Sequence, residues 1–145
     1  MSTTYKHIQP KDVYTTMIPN KPSLDDAGQE IVLNKWGNLP SGNDFIDLYA
    51  GLIRKYGNRT VGFYAQEMGV PLRLMSNTIL AMTGLSARTW IHEYVILGVC
   101  ELVKETDMQF NHIGKRLGLS PVSFSRFVQL MRKCQPNELR YGYER

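Results

Sequence analysis

The sequence predicts an all-α fold, and three observations carry this prediction. From residue 43 onward, apolar side chains recur at helical spacing rather than alternating as they do in strands. Glycine or proline marks the boundaries of the helical segments. A pattern of a small residue followed four positions later by glycine occurs at residues 65–69 and again at 114–118, a shift of 49. We therefore expect two helix-turn-helix subdomains joined by a long linker helix.

The first 42 residues differ in character from the rest of the chain. They hold four of the seven prolines and several clusters of Asn, Thr and Ser, with no sustained apolar period. One short apolar run, Ile31-Val32-Leu33, interrupts them. We predict a largely irregular N-terminal extension with one short strand or helical turn.

The first long helix is predicted to follow Asn43, a good N-cap residue. Gly57-Asn58 is a plausible stop for this helix. Thr60 is a second predicted cap, for a short helix that runs to Met68. The apolar face predicted for the first of these helices consists of Phe45, Leu48, Tyr49, Leu52 and Ile53.

The remaining helices are marked by caps and prolines. Pro71 and Pro121 each open a helix, because proline is tolerated near the first helical position. Ser86 is expected to cap the longest helix, which covers about residues 87–106. Pro136 begins a last short turn through Arg140.

The internal repeat has a physical explanation in the helix-turn-helix motif. The same shift of 49 pairs Met75 with Phe124 and Ile79 with Val128, so both copies place apolar residues alike. A small residue lets two helices cross closely, and the glycine adopts a turn conformation that a Cβ would resist. The second helix then packs on the first through one face and leaves its other face free. A duplicated helical hairpin that only binds proteins remains the alternative.

Composition and charge narrow the class of protein. Two cysteines cannot form a disulfide framework, and no Cys/His cluster has the spacing of a zinc site, so we expect no metal or cofactor. The sequence also shows no signal peptide and no transmembrane run, so we expect a cytoplasmic protein. Residues 107–145 carry seven basic residues against three acidic ones, which equals the net charge of +4 of the whole chain. Such a basic segment suits nucleic acid, although a solvated helical surface would look the same.

At these residues the chain resembles the DNA-binding domain of the AraC/XylS family of bacterial transcription regulators. The stretches that carry the resemblance are residues 64–91 and 112–127, with the Phe124-Ser-Arg126 triplet and the ending Pro136-Asn-Glu-Leu-Arg140. It covers roughly residues 43–142. The resemblance implies a DNA-binding domain over 43–145, with a first motif at about 61–83, a linker helix at about 87–106 and a second motif at about 109–134. Double-stranded DNA is the implied partner, with RNA polymerase as a further candidate, and no enzymatic activity is expected.

In that family the second helix of each motif lies in the major groove, and the two grooves are one helical turn apart. The positions that match base-facing residues are Arg73, Ser76, Asn77, Pro121, Val122, Ser123 and Arg126. Arginine can donate two hydrogen bonds to guanine, asparagine can pair with the edge of adenine, and valine can contact the thymine methyl group. Candidates for phosphate contacts are Ser86, Arg88, Thr89, Arg132 and Lys133. The alternative role of Arg126 is to bridge two helices within the domain. Ser76 and Ser123 could instead be solvent-exposed residues without a function.

The chain also departs from the family pattern. Val95 and Val99 stand in the linker helix where the family usually has an arginine and a small residue, so this helix is apolar around its circumference. Because such a helix is normally buried, we expect the N-terminal arm or a second protomer to cover it. A homodimer through the arm or the linker helix is therefore a candidate. The usual glycine near Lys133 is missing, and the first motif is locally acidic or neutral.

Two other functions are alternatives to DNA binding. A helical protein-interaction module would retain the fold without binding DNA, as the apolar linker helix and the near-neutral first motif suggest. An alkyl-transfer enzyme would need an activated thiol beside a base, and neither Cys100 nor Cys134 has an evident partner. Both cysteines are predicted to be small buried hydrophobes. His92 and His112 are expected to be surface or satisfied core histidines.

Overall fold

The computed structural model describes residues 7–142, and the order of its helices is the predicted one. The helices are α1 (Pro10–Val13), α2 (Asp44–Tyr56), α3 (Val61–Met68), α4 (Leu72–Thr83), α5 (Ala87–Glu105), α6 (Phe110–Arg116), α7 (Pro121–Arg132) and α8 (Pro136–Tyr141). The all-α prediction is confirmed for these residues. Residues 1–6 of the predicted arm and residues 143–145, which include two charged residues of the basic segment, lie outside the described part. Within 7–142, no helix has the length and apolar character needed to cross a membrane.

The predicted caps set the helix boundaries. The side chain of Asn43 accepts a hydrogen bond from the backbone N–H of Ile46, and Thr60 accepts one from Phe63. Ser86 accepts the equivalent bond from Thr89 at the start of α5. Each bond satisfies a backbone donor that the first helical turn leaves without a partner. The starts predicted for α2, α3 and α5 are confirmed.

The apolar face predicted for α2 is wrong in part. Phe45, Leu48 and Leu52 are only partly buried, whereas the fully buried positions are Ile46, Tyr49, Ala50 and Ile53. The arm causes the difference by covering a second side of this helix. A Cβ on Gly51 would lie 2.3 Å from Cγ of Trp36, so the indole packs directly on the helix backbone.

Both motifs turn at a left-handed glycine, as the repeat predicts. Gly69 has φ +69° and Gly118 has φ +74°, values that side chains with a Cβ adopt at a cost. The small residue four positions earlier is buried in each motif, as Ala65 and Gly114. A Cβ on Gly114 would lie 2.7 Å from the carbonyl oxygen of Leu119, so this position in the second motif leaves no room for a side chain.

The N-terminal arm covers the linker helix α5. Val95, Ile96 and Val99 are fully buried, and a Cβ on Gly98 would lie 2.9 Å from Sδ of Met17 in the arm. The predicted cover for this apolar helix is therefore supplied, in part, by the same chain. The arm forms the one-turn helix α1 and an isolated antiparallel bridge between residues 24 and 30, and the apolar run 31–33 is not a strand.

A polar network fastens the arm to α5 at Glu101. Its carboxylate accepts hydrogen bonds from the hydroxyl of Tyr14 at 2.6 Å, from the backbone N–H of Met17 at 2.8 Å and from the hydroxyl of Thr16. Burial alone would raise the pKa of Glu101, but these donors together lower it below its usual value. Arg54 of α2 donates to the carbonyl oxygens of Thr15 and Thr16, so the arm is tied to two helices.

Candidate nucleic-acid interface

The second helix of each motif, α4 and α7, has one buried and one exposed face. Met75 and Ile79 of α4 are buried, and so are their repeat equivalents Phe124 and Val128 of α7. These side chains belong to the core, as predicted, and do not form stacking platforms. The opposite face of each helix is open to solvent and is the candidate surface for reading DNA.

On α4 the predicted base-facing residues are brought to the open face. Arg73 and Asn77 are exposed, and Ser76 is half-buried at the edge of the face. Neither Arg73 nor Asn77 makes a side-chain hydrogen bond or ion pair to another residue within 7–142. Leu74 and Leu80 lie on the same surface, each about half exposed. The first surface thus combines one cation, one amide and apolar side chains.

On α7 the predicted residues form a more polar surface. Pro121, Val122, Ser123 and Arg126 are all exposed. The hydroxyl of Ser120 donates to that of Ser123 at 2.9 Å, which leaves the proton of the Ser123 hydroxyl for another acceptor. Arg126 makes no hydrogen bond or ion pair with any described residue, so the bridging role between helices is not seen there. The repeat places Arg126 at the position that Asn77 occupies in α4.

The predicted phosphate contacts lie at two helix ends. Ser86, Arg88 and Thr89 are exposed at the start of α5, although the hydroxyl of Ser86 already caps the helix and donates to Thr89. Arg132 donates to the carbonyl oxygen of Met131. Lys133 ends α7 in the left-handed conformation, with φ +60°. This backbone conformation favours glycine, the residue that the family usually has near this position and that this sequence lacks.

A cleft lies between the loop that precedes α3 and the first two turns of α5, and we call it the central cleft. It has a volume of about 580 Å³, and its polar lining consists of Asn58, Arg59, Thr60, Arg88 and His92. Phe63 forms part of one wall, with the guanidinium carbon of Arg59 5.2 Å from its ring centroid. Of these residues, only Arg88 is a phosphate candidate predicted from the sequence.

The central cleft lies where the two motifs meet. The backbone N–H of Asn58 donates to the carbonyl oxygen of Leu117 in the turn of the second motif, at 2.8 Å. Gly57 packs on the same carbonyl, since a Cβ there would lie 2.3 Å from it. The ring centroid of His92 is 5.6 Å from that of Phe127 on α7. Contacts of these kinds fix the position of one motif relative to the other.

His92 is a half-buried residue of the interface between motifs. Burial lowers the pKa of His92, and the charge of Arg88 lowers it further against the opposing effect of Glu93. His112, by contrast, is exposed on α6. Across residues 7–142, no group of three or more His, Cys, Asp or Glu side chains is arranged to hold a metal ion. Cys134 is buried, as predicted, and Cys100 only half-buried.

Comparison with known proteins identifies the fold. No family model matches the chain, and no curated protein matches it. The C-terminal domain of AraT, a response regulator from Geobacillus stearothermophilus, is similar in structure, with 19% identity and a TM-score of 0.56 over 63% of this chain and 77% of that one. The C-terminal domain of the two-component response regulator YesN from Fusobacterium nucleatum subsp. nucleatum ATCC 25586 gives 13% identity and a TM-score of 0.60 over 68% of this chain and 99% of that one. The chain therefore shares the all-helical fold of these response-regulator domains.

Proposed function

We propose that this chain is a sequence-specific regulator of transcription that binds double-stranded DNA. In this proposal, residues 43–145 form the DNA-binding unit, residues 1–42 are its extension, and α4 and α7 enter successive major grooves. The observation that carries it is the open face of each helix, where Arg73, Asn77 and Arg126 present hydrogen-bonding groups without described partners. These are side chains that read guanine and adenine edges.

The structural neighbours support the proposal at the level of the fold. Both neighbours are C-terminal domains of response regulators. Fold alone does not determine function, so the proposal depends on the chemistry of the two open faces. As a regulator in bacteria, the protein would act in the cytoplasm on RNA polymerase, without enzymatic activity of its own. Because Val95 and Val99 are already buried within one chain, a homodimer would have to form through other surfaces.

The base contacts divide between the two helices. We assign Arg73, Ser76 and Asn77 to one groove and Pro121, Val122, Ser123 and Arg126 to the other. Backbone phosphates are assigned to Arg88, Thr89, Arg132 and Lys133, with Ser86 contributing through the helix start that it caps. The second motif is expected to supply most of the electrostatic attraction, because the basic residues are concentrated in residues 107–145.

Substitution of Arg126 tests the assignment. Arg126→Ala is expected to weaken binding to the preferred duplex by about 1–3 kcal/mol and to relax one base position. Arg126→Lys is the matched control, because it keeps the charge and loses the planar fork that pairs with guanine. Fluorescence anisotropy on the preferred duplex and on a random one measures both effects. Equal losses on the two duplexes would contradict the base-reading role.

A protein-interaction module is the second candidate, and one observation favours it. Leu72, Leu74 and Leu80 of α4 are each about half exposed, which is unusual for a surface that contacts only nucleic acid. Salt separates the two functions. DNA affinity must fall steeply between low and physiological salt as counterions return to the phosphates, whereas an apolar protein interface responds weakly. A chain without salt-dependent binding to DNA would favour the second candidate.

A further inference from the structure

The central cleft concentrates positive charge without a counterion. Arg59 and Arg88 line it together with the imidazole of His92, and no carboxylate is among its described lining residues. Neither guanidinium pairs with an acidic side chain within 7–142. Two cations that line one cleft repel each other, so an anion in the cleft would relieve this repulsion.

The cleft also offers neutral hydrogen-bonding groups. Asn58 supplies an amide and Thr60 a hydroxyl, beside the open first turn of α3. The stacking of Arg59 on Phe63 restrains one guanidinium at the wall, so less side-chain freedom is lost when it binds a ligand. Oxygen anions with several acceptors, such as a phosphate group, match this set of donors.

The location of the cleft suggests which phosphate it binds. It lies at the junction of the two motifs, beside the Asn58–Leu117 hydrogen bond and the His92–Phe127 contact. If α4 and α7 enter successive major grooves, the sugar-phosphate backbone of the intervening minor groove must cross this junction. The backbone there carries one phosphate per nucleotide, and Arg59 and Arg88 of the cleft are exposed to solvent.

We propose that the central cleft binds a backbone phosphate of the DNA segment that lies between the two major grooves, with Arg59, Arg88 and His92 as its ligands. This inference rests on the proposed function. It adds Arg59 and His92 to the interface and gives Arg88 a defined ligand. The cleft would then fix the register of both recognition helices on the DNA without reading any base.

A dependence of affinity on pH follows from the chemistry of His92. In the free protein its pKa is lowered, by burial first and by Arg88 second, with Glu93 acting in the opposite direction on the same helix. Arg59 is the further charged residue that lines the cleft, and the α7 side chain in contact with the imidazole is the uncharged Phe127. A phosphate favours the imidazolium, so binding takes up a proton and affinity rises as the pH falls toward the pKa of the imidazole in the complex.

Neutral phosphate analogues provide the decisive experiment. The duplex is the preferred site returned by selection, with single methylphosphonates placed in turn along its central segment. For the wild-type chain we expect one or two positions at which this loss of one charge lowers affinity about 3- to 10-fold. Arg88→Ala is expected to lower affinity by a similar factor on specific and random duplexes. It should also reduce by about 1 the slope of the logarithm of affinity against the logarithm of salt concentration. Methylphosphonates at the one or two sensitive positions should cause no further loss of affinity in this variant.

The controls separate this inference from the proposed function. Lys104→Ala removes one exposed cation from the far end of the same helix and should leave affinity within 2-fold. His92→Gln should abolish the rise in affinity that the wild type shows as the pH is lowered. Thermal unfolding of this variant reports whether the fold is retained. Full methylphosphonate losses in Arg88→Ala, on a chain that otherwise binds DNA, would overturn the cleft assignment and leave the function intact. A wild-type chain that binds no DNA overturns both.

A titration with inorganic phosphate tests whether the cleft binds free phosphate rather than a phosphate of the DNA backbone. The imidazole resonances of His92 report on the cleft in the full chain without DNA. We expect inorganic phosphate to shift them only at concentrations far above those at which DNA binds, because a single ion lacks the neighbouring backbone contacts. Saturable binding of inorganic phosphate as tight as that of DNA would overturn the assignment in favour of a free-phosphate site.

Discussion

The two turn glycines permit a matched test of how the motifs are joined. Gly69 and Gly118 have nearly the same φ, +69° and +74°, so replacing either with alanine imposes a similar backbone strain. That strain costs about 1–2 kcal/mol per residue. The surroundings differ, because a Cβ on Gly69 has no heavy atom within 4 Å, whereas one on Gly118 would lie 2.9 Å from the backbone nitrogen of Asn58 and 3.0 Å from the carbonyl oxygen of Tyr56.

The expected magnitudes follow from this difference. Gly69→Ala should lower the free energy of unfolding by about 1–2 kcal/mol, from strain alone. Gly118→Ala should cost a further ~1–3 kcal/mol, because rigid backbone must move and the Asn58–Leu117 hydrogen bond adjoins the clash. Urea unfolding followed by circular dichroism at 222 nm measures both variants. Equal losses would refute the conclusion that the turn of the second motif packs on the loop before α3.

Three further predictions concern the arm, the end of α7 and the crossing of the second motif. Glu101→Gln should destabilise the chain by about 1–3 kcal/mol at pH 7 through loss of charge-assisted hydrogen bonds. The difference from wild type should begin to shrink as the pH falls below the ordinary carboxyl pKa of 4.5, and it should disappear once the pH is below the lowered pKa of Glu101; urea unfolding at pH 7 and across this acidic range checks this. Lys133→Gly should stabilise the fold by ~0.5–1 kcal/mol, because glycine favours the left-handed backbone there, and should lower DNA affinity evenly across sequences. Lys133→Ala should lower DNA affinity by the same factor without stabilising the fold. Thermal unfolding measures the stability of both variants, and fluorescence anisotropy measures their affinity. Gly114→Ala should cost about 1–3 kcal/mol in the same unfolding assay, despite the better helix propensity of alanine, because its Cβ meets the carbonyl oxygen of Leu119.

Local signals in the sequence predict the helices well. Asn43, Thr60 and Ser86 cap the helices that they were expected to cap, and both turn glycines adopt the left-handed conformation. These features depend on a few neighbouring residues, so their physical requirements are visible in a short window of sequence. The open faces of α4 and α7 follow from the same periodicity.

Long-range packing could not be predicted in this way. The face of α2 was misassigned because Trp36 packs on Gly51, a contact that no helical period encodes. The arm was one of two predicted covers for the linker helix, and only the structure shows that Met17 reaches Gly98. The central cleft was missed because Arg59 and His92 are distant in sequence and belong to no motif. A weak signal did exist, since an arginine adjoins Thr60 and another lies two residues after Ser86.

The central claim is that α4 and α7 read two successive major grooves, and selection of binding sites from random duplexes at physiological salt tests it most directly. We predict an enriched site with two conserved segments about 10 bp apart from centre to centre, which is one helical turn of DNA. Selection repeated with Asn77→Ala should relax one segment, and with Arg126→Ala the other. A single conserved segment, or no enrichment at all, would contradict the account.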